Sequence, residues 1–414
     1  MIKFDKFSLD NGLKIIVHPD PTTPLVTVNL LYNVGARDED PERTGFAHLF
    51  EHLMFGGSVN IPEFDTPLQS AGGVNNAFTN NDFTNYYISL PKENLETAFW
   101  LESDRMLSLA FTDKSLDVQR QVVIEEFRQR YLNQPYGDVW LLLRPLAYKV
   151  HPYQWATIGK DVSHIEKAEM QHVKDFFFAH YAPDNCIMVV AGNTDTETVR
   201  TLAEKWFGPI EARNVKPRNL PQEPAQTEAR VLRVQRDVPT HAYHRAYHAC
   251  ARTDADFHAT DLLSDILSMG ESCRLYQSLV KEQELFTDID AYLTGSLENN
   301  LFVFSGKLSD DVDFETAEAA LLAEIEEITK SAPTDDEIQK VKNIWESKFL
   351  FNETNTLNKA MSLAYFELIG QAEDYNTELE KYLAVTPEQI LAAARKIFRP
   401  ENSSTLFYEA KLSS

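Results

Sequence analysis

The five residues His48-Leu49-Phe50-Glu51-His52 constrain this chain more than any other stretch. Two histidines four positions apart lie one turn apart on a helix, the spacing that two metal ligands need. The helix advances about 100° per residue. On that wheel His48, Glu51, His52 and Phe55 share one face, and Phe46, Leu49, Phe50, Leu53 and Met54 share the other. Thr44 to Phe55 therefore reads as an amphipathic helix with an apolar back and a chemical front. Thr44 is its expected N-cap and Gly56-Gly57 its expected stop. The plain alternative is a solvated polar face that happens to carry two histidines. Phe55 on that same face suits a pocket better than open water. Two imidazoles beside a carboxylate can hold zinc and activate a water on it, so the expected chemistry is metal-assisted peptide hydrolysis.

The chain has 414 residues, 43% of them hydrophobic, which is more than one compact core usually holds and enough for two domains. No apolar run approaches the roughly 20 residues that span a bilayer. The N-terminus opens on strand-like sequence, Phe7 to Leu9 and Leu13 to Val17, around a turn at Asp10-Asn11-Gly12. No charged-then-apolar leader is visible, and Cys186, Cys250 and Cys273 are scattered and odd in number. Both features fit a cytoplasmic chain; a periplasmic one trimmed of its leader would look the same. The net charge of −24 disfavours a nucleic-acid binder, which needs Lys and Arg clusters. It favours cationic peptides only weakly, and simple solubility accounts for most of it.

Pro217, Pro221 and Pro224 mark residues 215–226 as a linker between a domain over 1–214 and another over 227–414. Both halves mix strand and helix patterns, which gives an α+β class. Met54-Phe55-Gly56-Gly57-Ser58 is echoed by Ser268-Met269-Gly270-Glu271-Ser272, 214 residues on. At that offset His48 faces Leu262, Glu51 faces Asp265 and His52 faces Ile266, so the second half reads as a copy without the metal site. His241, His244 and His248 form another cluster, but in a strand 241 and 244 point to opposite faces and no carboxylate fits. They are expected not to be ligands.

A catalytic zinc usually takes three protein ligands and leaves one position for water. Glu126, 74 residues after His52, is the candidate for the third, with the adjacent Glu125 as its rival. Helical phase relative to Val122 and Val123 favours Glu126. With these residues the chain resembles the pitrilysin and mitochondrial processing peptidase family of inverzincin metallopeptidases. The blocks that carry the resemblance are Leu9-x-Asn11-Gly12-Leu13 and Gly45-x2-His48-x2-Glu51-His52-Leu53-x-Phe55. Next come Asn76-Ala77-x-Thr79-x2-Asp82-x-Thr84-x-Tyr86 and Arg120-x-Val122-Val123-x2-Glu126. His151-Pro152-Tyr153, Ile158-Gly159 and Tyr181-x-Pro183-x-Asn185 complete them.

The resemblance implies one zinc per chain on His48, His52 and Glu126, with Glu51 as general base. It implies two homologous α+β domains, each a mostly antiparallel sheet with helices packed on one side. Phe55 would line the pocket for the residue after the cleaved bond, or else be plain core. Asn76 and Ala77 would lie on an edge strand that pairs with an extended peptide, although Asn76 also suits a turn.

Two departures follow from the same comparison. Gln119 stands where the family commonly has a glutamate near the zinc, so a neighbour that tunes metal affinity has lost its charge. Val280 and Thr287 stand where self-sufficient relatives carry an Arg and a Tyr that grip the substrate carbonyl. The expected assembly is therefore a heterodimer, in which a homologous non-catalytic subunit supplies that clamp and closes a chamber around an unfolded peptide. The alternative is a homodimer in which Arg274 with Tyr276 or Tyr292 serves locally. A structural or peptide-binding subunit without turnover is the rival reading.

Overall fold

The motif lies in the half of the chain built on a six-stranded sheet. In the computed structural model, which describes residues 1–411, this sheet contains β1 (Asp5–Ser8), β2 (Lys14–Pro19), β3 (Leu25–Tyr32), β4 (Val74–Thr79), β5 (Thr84–Pro91) and β6 (Cys186–Gly192). Their order is β1-β2-β6-β3-β5-β4, and only β2 and β6 pair in parallel. The second sheet contains β7 (Arg230–Arg236), β8 (Ala242–His248), β9 (Phe286–Leu293), β10 (Leu301–Leu308) and β11 (Ser403–Ala410). Its order is β7-β11-β8-β10-β9, with β7 and β11 its one parallel pair.

Remove β1 and the two sheets have one topology. β3, β5 and β6 start at residues 25, 84 and 186; β8, β10 and β11 start 217 residues later in each case. The same interval separates the helix Val139–Ala147 from the helix Thr356–Ile369. The chain is thus two α+β repeats. The short sequence echo at 214 sits after the motif helix, where the loops of the two repeats differ in length.

The compact units do not follow the repeats residue for residue. One comprises Met1–Arg130, Trp155–Leu220 and Leu350–Thr377; the other comprises Tyr131–Gln154, Pro221–Phe349 and Glu378 onward. The chain passes from one to the other at Leu220/Pro221, inside the Pro-rich 215–226 segment. Each repeat also lends one helix to the other unit. Val139–Ala147 packs on β7, β8 and β11, and Thr356–Ile369 packs on β2, β3 and β6. In the second unit Tyr243, Tyr247, Phe302 and Phe304 meet the helices Phe257–Ser268, Phe314–Lys330 and Pro387–Ile397 on one face of the sheet. Ala242, Ala246, Leu301 and Val303 meet Val139–Ala147 on the other. A sheet covered on both faces needs apolar side chains on both, and β6 is buried along its whole length.

The counterpart of the motif helix is Phe257–Ser268, where Leu262 and Ile266 are core residues. Asp265 survives as a buried polar group that accepts a hydrogen bond from Trp345 Nε1 at 2.8 Å. Burial, with Asp261 nearby, pushes its carboxyl up to about 6. The folded state therefore holds a proton that the unfolded chain has released by pH 5. The associated stability is present at low pH and is lost as pH rises through about 6. Asp265→Asn keeps the acceptor for Trp345 and removes the charge. It should stabilise the protein by about 3 kcal/mol at pH 7.5 and by almost nothing near pH 3.5. Urea unfolding at the two pH values measures this, and equal shifts at both would contradict it.

Candidate metal centre

The motif helix is short, Phe46–Leu53, and Phe46, Ala47, Leu49, Phe50 and Leu53 are its buried back. Phe55 lies beyond its end rather than on its last turn. It is half-buried, edge-on to Phe64 at 5.6 Å and 6.1 Å from Tyr86. Thr44 is not the N-cap. Gly45 is, with φ of 88°, and a Cβ there would come within 2.7 Å of the Ile158 carbonyl oxygen. The Thr44 hydroxyl is occupied elsewhere: it accepts from Lys160 N–H at 2.9 Å and meets His164 Nδ1 at 2.9 Å. Glu39 supplies the missing cap. Its two carboxylate oxygens accept from the Gly45 and Ala47 N–H groups at 2.9 and 2.8 Å. Burial pushes the Glu39 carboxyl up to about 8, while the two backbone N–H bonds pull the other way.

The helix Asp113–Phe127 brings in Glu126. Thr112 caps it by accepting from Ser115 N–H, and Leu116, Val123, Ile124 and Phe127 form its inner face. Glu125 and Glu126 point apart. Glu125 is exposed and pairs with Arg128 at 2.8 Å. Glu126 Oε2 lies 3.5 Å from His48 Nε2 and 3.4 Å from His52 Nε2. Its Oε1 is held by Arg130 at 2.9 Å, from a π-helical stretch, Arg128–Leu132, that continues the helix.

These three side chains offer ligand atoms that all lie within 4.8 Å of one another. Two ligands on a tetrahedral zinc, each about 2.1 Å from it, stand about 3.4 Å apart. The His–Glu distances match that edge. Protonation states suit a cation as well. Burial lowers His48 to about 4, so its ring is neutral at neutral pH. The hydrogen bond with His52, aided by His48 and Arg130, holds Glu126 below the usual carboxylate range. Nδ1 of His48 is buried without a hydrogen-bond partner among the described residues. Burial raises the Glu51 carboxyl; Thr79 at the end of β4 and His52 offset part of that rise.

Asn76 and Ala77 both lie in β4, the free edge of the first sheet, rather than in a turn. Exposure alternates along this strand, and the Ala77 N–H donates to Asn76 Oδ1 at 2.9 Å. Gln119 is half-buried two turns before Glu126 on the same helix. In the second unit Val280 packs against the core, and Thr287 is exposed on β9 with its hydroxyl donating to the Lys307 carbonyl at 3.3 Å. Arg274 makes a two-pronged ion pair with Glu337, at 2.6 and 2.9 Å. His241 Nδ1 accepts from Ala410 N–H, His244 Nδ1 meets the Ser305 hydroxyl, and His248 Nε2 donates to the Ala147 carbonyl. Sequence reasoning missed Glu39 and Arg130. The one signal for Glu39 is an acidic residue shortly before a helix start, and Arg130, four residues after Glu126, carries none of its own.

No helix among the described residues is long and apolar enough to cross a membrane. Residues 14–154 match the family model described as insulinase, peptidase family M16, and residues 167–344 match that of the peptidase M16 inactive domain. The zinc protease PqqE of Helicobacter pylori is 29% identical over 413 residues, covering 98% of this chain and 92% of that protein. The beta subunit of the yeast (Saccharomyces cerevisiae) mitochondrial-processing peptidase is 27% identical over 205 residues, about half of this chain (49%) and 44% of that protein. The crystal structure of a protease from Helicobacter pylori superposes with a TM-score of 0.92 at 28% identity, covering 99% of this chain and 100% of the other. Matched in both halves and along its length, this chain belongs to the M16 family of peptidases, the group of pitrilysin, the mitochondrial processing peptidases and insulinase.

Proposed function

We propose that this chain is a zinc endopeptidase subunit that hydrolyses unfolded peptides. The observation that carries the reading is the convergence of His48, His52 and Glu126 at zinc-ligand spacing beside Glu51. When bound, zinc supplies Lewis acidity, which acidifies a water and polarises the scissile carbonyl. Glu51 takes the proton from the attacking water and returns it to the leaving amine. A carboxyl raised by burial is suited to both roles. The neutral His48 ring keeps its lone pair available to a metal, and Arg130 fixes the Glu126 carboxylate. An extended peptide adds to the free edge of β4 at Asn76 and Ala77, displacing the Asn76 side chain from the Ala77 N–H. Phe55, with Phe64 behind it, lines the pocket for the residue after the cleaved bond.

The subunit reading extends to a partner. No Arg–Tyr pair stands at Val280 and Thr287, and Arg274 is committed to Glu337. A homologous non-catalytic chain supplying the clamp and closing the chamber meets that need better than a homodimer. A non-catalytic, peptide-binding role is the second reading, favoured by the uncharged Gln119, two turns before Glu126, where the resemblance expects a glutamate. The test measures bound zinc and cleavage of a quenched peptide, for the chain alone and mixed with a homologue that lacks the His-x2-Glu-His motif. Cleavage that rises at least about tenfold on mixing is expected, because a lost oxyanion donor costs about 100-fold or more. Full activity alone would overturn the partner, and zinc binding without cleavage in either sample would favour the second reading.

A further inference from the structure

On the peptidase reading above, we infer that Glu39 is a positioning residue that fixes the motif helix in relation to the substrate strand. The argument starts from the helix. Eight residues make barely two turns, and a helix this short has little stability of its own. Its first N–H groups have no partner within the helix. Gly45 has no side chain to offer them, and Thr44 is engaged with Lys160 and His164. Both oxygens of Glu39 fill the gap, on Gly45 and on Ala47, the residue before the first candidate ligand. Glu39 is itself fully enclosed, at 5% exposure, so water cannot replace it.

The other end of the contact reaches β4. Glu39 follows the tight turn Ala36–Asp38, and that turn is bonded to the loop joining β4 to β5. Ala36 N–H donates to the Asn80 carbonyl at 3.1 Å and Arg37 N–H to the Asn81 carbonyl at 2.9 Å. Arg37 and Asp82 form a buried ion pair at 2.8 Å. Trp155 Nε1 donates to the Ala36 carbonyl at 2.9 Å. Gly35 allows the approach, since a Cβ there would stand 2.6 Å from the Asn81 backbone. Residues 35–39 thus form a buried brace. One end holds the turn that closes β4, and the other holds the first turn of the helix bearing His48, Glu51 and His52. Sliding the helix start by a fraction of an ångström would misalign Glu51 with a peptide lying on β4. Misplacement on that scale costs catalysis far more than it costs binding.

The experiment compares the full chain with Glu39→Gln, which keeps one acceptor oxygen, and Glu39→Asp, which is too short to reach both amides, with the homologue that lacks the His-x2-Glu-His motif added wherever cleavage is measured. Zinc affinity is read by competition with a chromophoric chelator, folding by circular dichroism, and kcat and KM at saturating zinc. Folded variants are expected to bind zinc about ten- to hundredfold more weakly. At saturating zinc, kcat should fall about tenfold or more with KM within about threefold of wild type. Glu39→Gln should lie between wild type and Glu39→Asp. A role in folding alone would change none of these in the folded fraction. Amide hydrogen exchange keeps the brace testable whatever the metal does. In wild type the Gly45 and Ala47 amides should exchange slowly despite their place in a first turn, and faster in both variants. Folded variants with wild-type zinc affinity and kcat would overturn the inference, as would fast exchange of those two amides in wild type. A wild-type chain that binds no zinc would sink the peptidase reading, and the exchange result would then decide the brace by itself.

Discussion

Glu51→Gln is expected to lower kcat by about 100- to 10,000-fold while the zinc content stays at one per chain. The side chain keeps its size and its hydrogen-bonding oxygen, so the helix and its neighbours have no reason to move. It loses the ability to take a proton. Glu51 is not one of the three converging donors, so its loss removes no ligand. KM should change little, because the proposed reading places the peptide on β4 and in the pocket at Phe55, away from the Glu51 carboxyl. Steady-state kinetics with metal analysis on one sample measures both halves of the prediction. Retained activity would remove Glu51 as the base. Lost zinc would mean that it is a ligand.

The second large effect is expected at the ligands. His52→Ala removes one nitrogen from a three-ligand set and leaves two, which is below what a catalytic zinc site holds. Zinc should be lost on dialysis and cleavage should become undetectable. The fold should survive, since His52 is partly exposed and the apolar back of the helix is untouched. Glu126→Gln should act in the same direction. Glu125→Gln, at an exposed carboxyl paired with Arg128, should act on neither zinc nor rate. If Glu125→Gln lost zinc and Glu126→Gln kept it, the assignment of the third ligand would be reversed.

Much of the candidate centre was legible because it is encoded locally. The helix period places His48, Glu51 and His52 on one face, and one wheel separates them from the buried Phe46, Leu49 and Phe50. Glu126 was legible by the same logic, since Val123 fixes the inner face of its helix and Glu125 then points away. The helix start was not legible. A serine or threonine before an apolar run signals a cap only when its hydroxyl is free, and the Thr44 hydroxyl is taken by residues 116 and 120 positions away. Glu39 was hidden for a related reason: it lies in a loop, where no periodicity marks a side chain as buried. Sequence also gave no sign that the halves exchange helices. The amphipathic pattern of Val139–Ala147 shows an apolar face, but it does not say which sheet receives it. The repeat was nearly invisible in sequence, a five-residue echo, and is plain in the matching strand orders of the two sheets.

The central claim, one zinc site built from the motif helix and Glu126, is tested most directly by anomalous diffraction at the zinc edge from crystals grown with equimolar zinc. The prediction is one dominant peak per chain, bonded to Nε2 of His48, Nε2 of His52 and a carboxylate oxygen of Glu126 at about 2.0 to 2.2 Å. A dominant peak elsewhere, or none between those three side chains, would contradict it.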